Sequence, residues 1–351
     1  MLFALLISVH LWSIFPLDAS ITFDDTTRMT LRLIALFVLT LGAAVEAGPT
    51  TQPFVGEAQS LVAPGAKVEK LAGGLRFTEG PAWLERDGGF LILSDQPNNA
   101  LMRWDAKDGL KPFRQPSNVS NGNFALPGGS FVCCEQAIRA VTITDASGKT
   151  TTLVERHSEG KKFHSPNDVV MKSDGTVWFT DPPYGLPKGA TKEYEGNWVF
   201  CYDPKTKSVE AVAKDFDMPN GLCFSQDETK LYIADSGKPH HVRVFDVQQK
   251  VTQEAGVEWQ LKGGKVFCVI NPGAPDGMRC DTEGRLWSTA GDGVHIFTPD
   301  GQEFGRILVP ETPANCCFGG PNGTTLFITA RTGLYSIETV CKSGQIAPKE
   351  K

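Results

Sequence analysis

A chain of 351 residues with 36 Gly and 23 Pro spread along it has room for two ordinary domains or for one large all-β domain rich in tight turns. Its formal charge of −6 includes no basic block, which argues against nucleic acid or an anionic membrane as partner. GxSxG, HExxH and P-loop patterns are missing, so neither an elbow-type serine hydrolase nor a zincin is indicated.

Residues 1–47 read as a leader rather than as part of the fold. Arg32 precedes an apolar run from Leu33 to Leu41, and small residues follow up to Val45-Glu46-Ala47. That is the order of a secretory signal peptide, with cleavage expected after Ala47. An earlier apolar stretch, Leu2 to Phe15, is set apart by Asp24-Asp25, and Met29 stands just before the better signal, so residues 1–28 read as a mis-called extension. The alternative is an uncleaved anchor, but the run from Leu33 to Leu41 falls short of the roughly 20 residues needed to span a bilayer. The expected product is secreted or periplasmic, with no stable membrane association after cleavage. Residues 48–65 are expected as a linker, 66–345 as a single domain and 346–351 as a tail.

The domain is organised by a repeat. An acidic or amide residue, a short apolar strand, a turn and a second apolar strand recur six times, from Glu79, Asn121, Asn167, Asn220, Asp276 and Asn315. Five of the six turns contain Gly (Asp87-Gly88, Gly128-Gly129, Asp174-Gly175, Glu283-Gly284, Asn322-Gly323), which supplies the positive φ of a hairpin; the sixth is Asp227-Glu228. All-β units recurring roughly every 40 to 55 residues predict the blades of a six-bladed β-propeller. A solenoid is the competing architecture. The propeller is preferred because the stretch from Val68 to Phe77 reads as a strand able to close the ring against the last blade.

In a propeller the first strand of every blade lines the channel, so the six repeat-starting residues converge at one mouth. Two carboxylates and four amides would gather there, with no Lys, Arg or His among them. An all-oxygen set of this kind suits a hard divalent ion, Ca2+ before Zn2+. Asp95, Glu135, Asp181 and Asp235 end the second strands at the same mouth and are expected behind the ring or as a base. The plainer reading is that Asn and Asp before strands are turn residues. His164 is within reach of the mouth as a loop or substrate residue, whereas His157, His240, His241 and His295 read as surface or blade residues. Trp83, Trp178 and Trp287 fall in strands and are expected in the core. Tyr184 and Trp198, in a long loop, are candidates to line a sugar site. Asp105-Ala106-Lys107-Asp108-Gly109 imitates part of an EF-hand loop but lacks its closing Glu and reads as a turn. Nine Cys in apolar runs, with no CxxC or zinc spacing, read as buried free thiols, one or two bridges being the alternative.

FTEGPAW around Glu79, HSPNDVV around Asn167, MPNGLCFS around Asn220, YIADS at Asp235 and PDGMRCD around Asp276 resemble motifs of the gluconolactonase and senescence-marker-protein (regucalcin) family. WFTDPPYG and GDGVHIF resemble its bacterial gluconolactonase branch, and the similarity runs over about residues 66 to 338. The resemblance implies a six-bladed propeller with a divalent ion, usually calcium, on the channel axis, Mg2+ or Zn2+ being the alternatives. Carried over by motif, Glu79, Asn220 and Asp276 would be ligands, Asn167 a fourth ligand or substrate contact, and Asn121 a rim residue. The activity implied is opening of a sugar lactone such as glucono-1,5-lactone to the aldonic acid. Asp276 is the first choice of general base and Asp235 the second. A propeller that binds a ligand without turnover, a scaffold with a structural ion, and a hydrolase of other lactones or phosphotriesters remain alternatives. The loops at 185–197 and 237–241 carry no readable specificity, and the sequence specifies no oligomeric state.

Overall fold

A computed structural model describes residues 53–252 and 256–345. The expected leader and tail lie outside the described residues. Strands β1 (Phe54–Gly56) and β2 (Glu69–Ala72) precede the repeats. Blade 1 is β3–β6 (Thr78–Leu84, Phe90–Asp95, Ala100–Asp105, Gly109–Arg114) and blade 2 is β7–β10 (Ser120–Ala125, Phe131–Glu135, Ala140–Thr144, Thr150–Val154). Blade 3 is β11–β14 (Val169–Met171, Val177–Asp181, Asn197–Asp203, Ser208–Phe216) and blade 4 is β15–β18 (Pro219–Phe224, Lys230–Asp235, His241–Thr252, Gly256–Val269). Blade 5 is β19–β22 (Met278–Cys280, Leu286–Thr289, Gly293–Phe297, Glu303–Leu308). Blade 6 takes β23–β25 (Pro313–Gly319, Thr325–Ala330, Gly333–Glu338) and, from the other end of the chain, β2.

The ring therefore closes as expected: β2 pairs antiparallel with β25, Glu69 opposite Ser336. The innermost strands β3, β7, β11, β15, β19 and β23 touch in sequence, and β23 returns to β3. A solenoid is excluded by that closure. The segment expected as a linker does more than link: β1 adds a fifth strand to blade 5 beside β22, and Ala58 and Leu61 after it are buried.

Each blade is covered on both faces, which is why second strands such as FLILSD, VWFTD and TLFITA are almost wholly apolar rather than alternating. Trp178 packs on Phe224 and Trp259 of blade 4, Phe179 and Phe200 pack with Phe163 on the opposite face of blade 3, and Trp287, Ile296, Phe318 and Ile328 fill the space between blades 5 and 6. Each such side chain contributes about 1.5–3 kcal/mol when fully buried. Trp83 is only part-buried and stacks on Phe327. All nine Cys are free and buried.

The hairpin turns behave as the glycines predict, with positive φ at Gly88, Gly128, Gly175, Gly284 and Gly323. In the turn without Gly, Glu228 itself takes a φ of 56°. Its carboxylate offsets that strain by accepting hydrogen bonds from Ser173 N and Lys172 Nζ of blade 3, at 2.7 and 3.1 Å.

Candidate functional site: the acid and amide mouth of the channel

The six repeat-starting residues stand at one mouth of the channel. Glu79, Asn121, Asn167, Asn220 and Asn315 are buried, while Asp276 keeps some exposure. Close approach of neighbouring blades is made possible by the residue that follows. A Cβ on Gly80 would lie 2.1 Å from Asn121 O, and one on Gly221 2.1 Å from Asp276 O. Hydroxyls at the ends of the second strands then bond to the next blade: Ser94 Oγ donates to Asn121 O (2.7 Å) and Thr180 Oγ1 to Asn220 O (2.8 Å). The mouth is thus held largely by backbone contacts around the ring.

Where the second repeat has Gly122 after its amide, the third has Asp168, and this residue escaped the sequence reading. It is buried, with its Oδ1 accepting Val169 N at 2.9 Å and its Oδ2 without a hydrogen-bond partner. A Cβ on Gly122 would come within 2.3 Å of that carboxylate, so glycine is what admits Asp168 to the channel. Glu79 accepts hydrogen bonds from Gly80 N (2.7 Å) and Asn315 Nδ2 (3.0 Å), both at Oε2. Burial, reinforced by the Asp168 charge, raises the Glu79 pKa to about 7. Burial, then the Glu79 and Asp168 charges, push Asp276 well above the usual carboxylate range, against a hydrogen bond from Asn220. Asp168 is raised by burial and lowered by Arg279. Arg279, on β19, is the second residue that sequence reasoning missed: a buried guanidinium inside the channel. The M-R-C run in the motif at Asp276 was the available signal, but it gave no sign of which face the Arg takes.

The acids that end the second strands have a different job. Asp95 accepts from Arg76 N and Phe77 N at 3.2 and 3.3 Å, and Asp181 from His164 N and Ser165 N at 2.6 and 2.8 Å. Asp235 accepts from Asp217 N and Met218 N at 2.9 and 2.8 Å and also from Gly237 N. Each carboxylate clamps the loop that enters its own innermost strand. Glu135 reaches Asn118 Nδ2 instead and pairs with Arg114 at 2.7 Å. Asp235, expected as a second choice of base, has both oxygens engaged by backbone N–H groups.

His164 is likewise removed from the mouth. It is fully buried, stacks on Tyr194 at 3.9 Å and has Nε2 3.2 Å from Tyr194 O. Burial lowers its pKa to about 4, so it stays neutral. Substrate contact, expected of it, is not available in this packing. Trp198 is not at a sugar site either: it packs on Tyr194 and lies beneath Lys214. Tyr184, half exposed, stands near Asp276 and the Ser236 hydroxyl, and does reach the mouth.

Among the described residues no three His, Cys, Asp or Glu side chains gather as a ready metal cage. A cation here would depend on ring amides as well as on acids. The unpartnered buried oxygens of Asp168 (Oδ2) and Asn121 (Oδ1) and the crowded Glu79 and Asp276 carboxylates fit that demand, and the oxygen-only donor set fits a hard ion.

These features define a six-bladed propeller whose channel mouth concentrates buried carboxylates and amides. Comparison with known proteins carries this further. The model of the SMP-30/gluconolactonase/LRE-like family matches residues 77–332, and the chain belongs to that family. A gluconolactonase of Zymomonas mobilis is 33% identical over 291 residues, covering 78% of this chain and 81% of the relative. A solved gluconolactonase of Xanthomonas campestris, described as important in glucose secondary metabolic pathways, superposes with a TM-score of 0.73 at 31% identity. The match covers 83% of this chain and 96% of that one. Regucalcin of Xenopus laevis is 26% identical over 265 residues, covering 73% of this chain and 83% of the relative. Membership supports a lactone-hydrolysing function and a small-molecule lactone as substrate.

Proposed function

We propose that this protein is a divalent-metal-dependent lactonase that opens a sugar lactone of the glucono-1,5-lactone type. The observation that carries the reading is the set of repeat-starting residues at one mouth, Glu79, Asn121, Asn167, Asn220, Asp276 and Asn315, beside two buried oxygens, Asp168 Oδ2 and Asn121 Oδ1, that have no hydrogen-bond partner. Glu79, Asn167, Asn220 and Asp276 would hold the ion, Ca2+ before Mg2+ or Zn2+. When bound, the ion supplies Lewis-acid polarisation of the lactone carbonyl.

The chain's own groups do the rest. Asp276, part exposed beside Tyr184, takes a proton from water as the water oxygen bonds to the carbonyl carbon. The ring C–O bond then breaks, and the departing alkoxide recovers the proton, giving the hydroxy acid. Burial, then the Glu79 and Asp168 charges, raise the Asp276 carboxyl above the usual range in the ion-free protein, and a bound ion would draw it back down. Asn121, as a rim residue, would orient the sugar hydroxyls, with Asn167 as a substrate contact where it is not a ligand. The leader at residues 1–47 would deliver the enzyme to the periplasm or the exterior; recovery of a mature form beginning at Gly48 tests that part.

Hydrolysis of glucono-1,5-lactone, followed before and after chelation and on return of Ca2+, Mg2+ or Zn2+, tests the proposal. Activity that disappears and returns supports it. Tight ion binding with no turnover of any lactone would make the propeller a binding protein instead.

A further inference from the structure

The nine buried thiols are sorted by their places in the strands. Cys133 and Cys134 are neighbours on β8 and so take opposite faces of blade 2, Cys133 in the core shared with blade 1 and Cys134 in that shared with blade 3. Cys316 and Cys317 on β23 are divided in the same way. Neither adjacent pair is placed to bridge. Cys223 and Cys280 differ. They lie on β15 and β19, the innermost strands of blades 4 and 5, and both enter the core those blades share, each 1% exposed. Their Sγ atoms are 3.7 Å apart, the one thiol–thiol contact among the described residues. The two backbones are already in close approach there, since a Cβ on Gly221 would lie 2.1 Å from Asp276 O. An S–S bond is roughly 2.05 Å long, so each sulfur has only about 0.8 Å to travel.

We propose that Cys223 and Cys280 form a disulfide between blades 4 and 5 when the chain folds in the presence of a disulfide oxidant; the two free thiols are its reduced state. The oxidant is a disulfide itself, oxidised glutathione or an exchange protein. The thiolate of one Cys attacks it and releases one thiol, and the second Cys attacks the resulting mixed disulfide and releases the other. Two protons and two electrons leave the pair, and the oxidant becomes two thiols. Both sulfurs are closed off in the finished core, and the hydrogen bond with Cys223, then burial, hold the Cys280 thiol well above its usual range. A thiolate is therefore not supplied by the packed protein, which places the exchange during folding, before blade 5 docks on blade 4. The bond is a staple rather than a switch. It closes a sequence separation of 57 residues and ties together the strands led by Asn220 and Asp276 of the mouth ring.

The experiment unfolds the reduced full chain in urea and refolds it in glutathione buffers, one oxidising and one fully reduced. Products are compared by intact mass, thiol titration in denaturant, peptide mapping and thermal melts. Oxidative refolding should yield protein lighter by two hydrogens, with seven titratable thiols (nine less the pair) and the Cys223 and Cys280 peptides joined. Its melting temperature should exceed that of the reduced form by about 5 °C. Cys223→Ala and Cys280→Ala should each abolish both the mass loss and the shift. Native protein held with oxidised glutathione in urea just below its unfolding transition gives the same readings where refolding from the unfolded chain is inefficient. Protein that keeps nine thiols by both routes, carries glutathione on Cys223 or Cys280 without a bridge, or bridges another pair would overturn the inference. None of these readings passes through lactone turnover, so that failure would leave the proposed function standing.

Discussion

Two sets of buried acids crowd the same end of this molecule, and they differ in what their oxygens do. Asp95, Asp181 and Asp235 close the second strands and spend both oxygens on neighbouring donors, chiefly the N–H groups of their own entry loops. Glu79, Asp168 and Asp276, one layer further in, share few donors and face one another. The first arrangement ties each entry loop to its blade, although burial still raises Asp181 to about 7. The second raises the energy of the fold and is tolerable only if something else arrives, which is how a buried carboxylate distinguishes a tool from a fastener.

The contrast is sharpest in activity. Asp276→Asn or Glu79→Gln should lower kcat/KM by about 10³-fold or more while leaving the melting temperature equal to or above that of wild type, since each removes a crowded charge. Steady-state kinetics beside a thermal melt would show it. The mirror experiment is Asp235→Asn, which strips a charged acceptor from three N–H donors: a loss of about 1–3 kcal/mol in urea unfolding is expected, with lactone turnover within a few-fold of wild type. A turnover loss as large as that of Asp276→Asn would return Asp235 to the chemistry and erase the distinction.

The pH dependence of stability is a smaller effect. In the chelated protein, folded Glu79 keeps its proton to about pH 7, whereas the unfolded chain releases it near the ordinary 4.5. Asp181, raised by burial to about 7 from 3.8, behaves alike. Across that window the folded state binds more protons than the unfolded one, so stability falls as pH rises and levels off above about 7. Urea midpoints from pH 4 to 8 should show this decline, and Glu79→Gln should remove one part of it. Smallest of all, Tyr184→Phe should raise KM a few-fold with kcat nearly unchanged, whereas Trp198→Phe should alter neither.

Much of this was legible in the sequence because propeller repeats are short-range patterns. The six hairpins, their turn glycines, the closing strand and the six mouth residues all follow from spacing and residue type, and the family motifs pointed to the same ring. What escaped depended on side-chain direction across the channel. Asp168 is adjacent to Asn167 in a motif that drew attention to the amide, and only the notch left by Gly122 of the neighbouring blade shows where its carboxylate fits. Arg279 lies in a strand that reads as apolar core. His164 seemed close to the mouth by numbering, but Tyr194, thirty residues on, folds over it. Residues 54–56, with little pattern of their own, take their strand from β22 rather than from local preference.

Blade 6 is assembled from both ends of the chain, and that fixes the order of events in biogenesis. β2 is synthesised early and has no partner until β25 has been made, while Thr78 waits for a carbonyl 255 residues away. The bond from Asn315 that orients Glu79 crosses the same seam, joining the last blade to the first. The orientation of the Glu79 carboxylate in the first blade therefore depends on the last blade, and only a shut ring brings the two together.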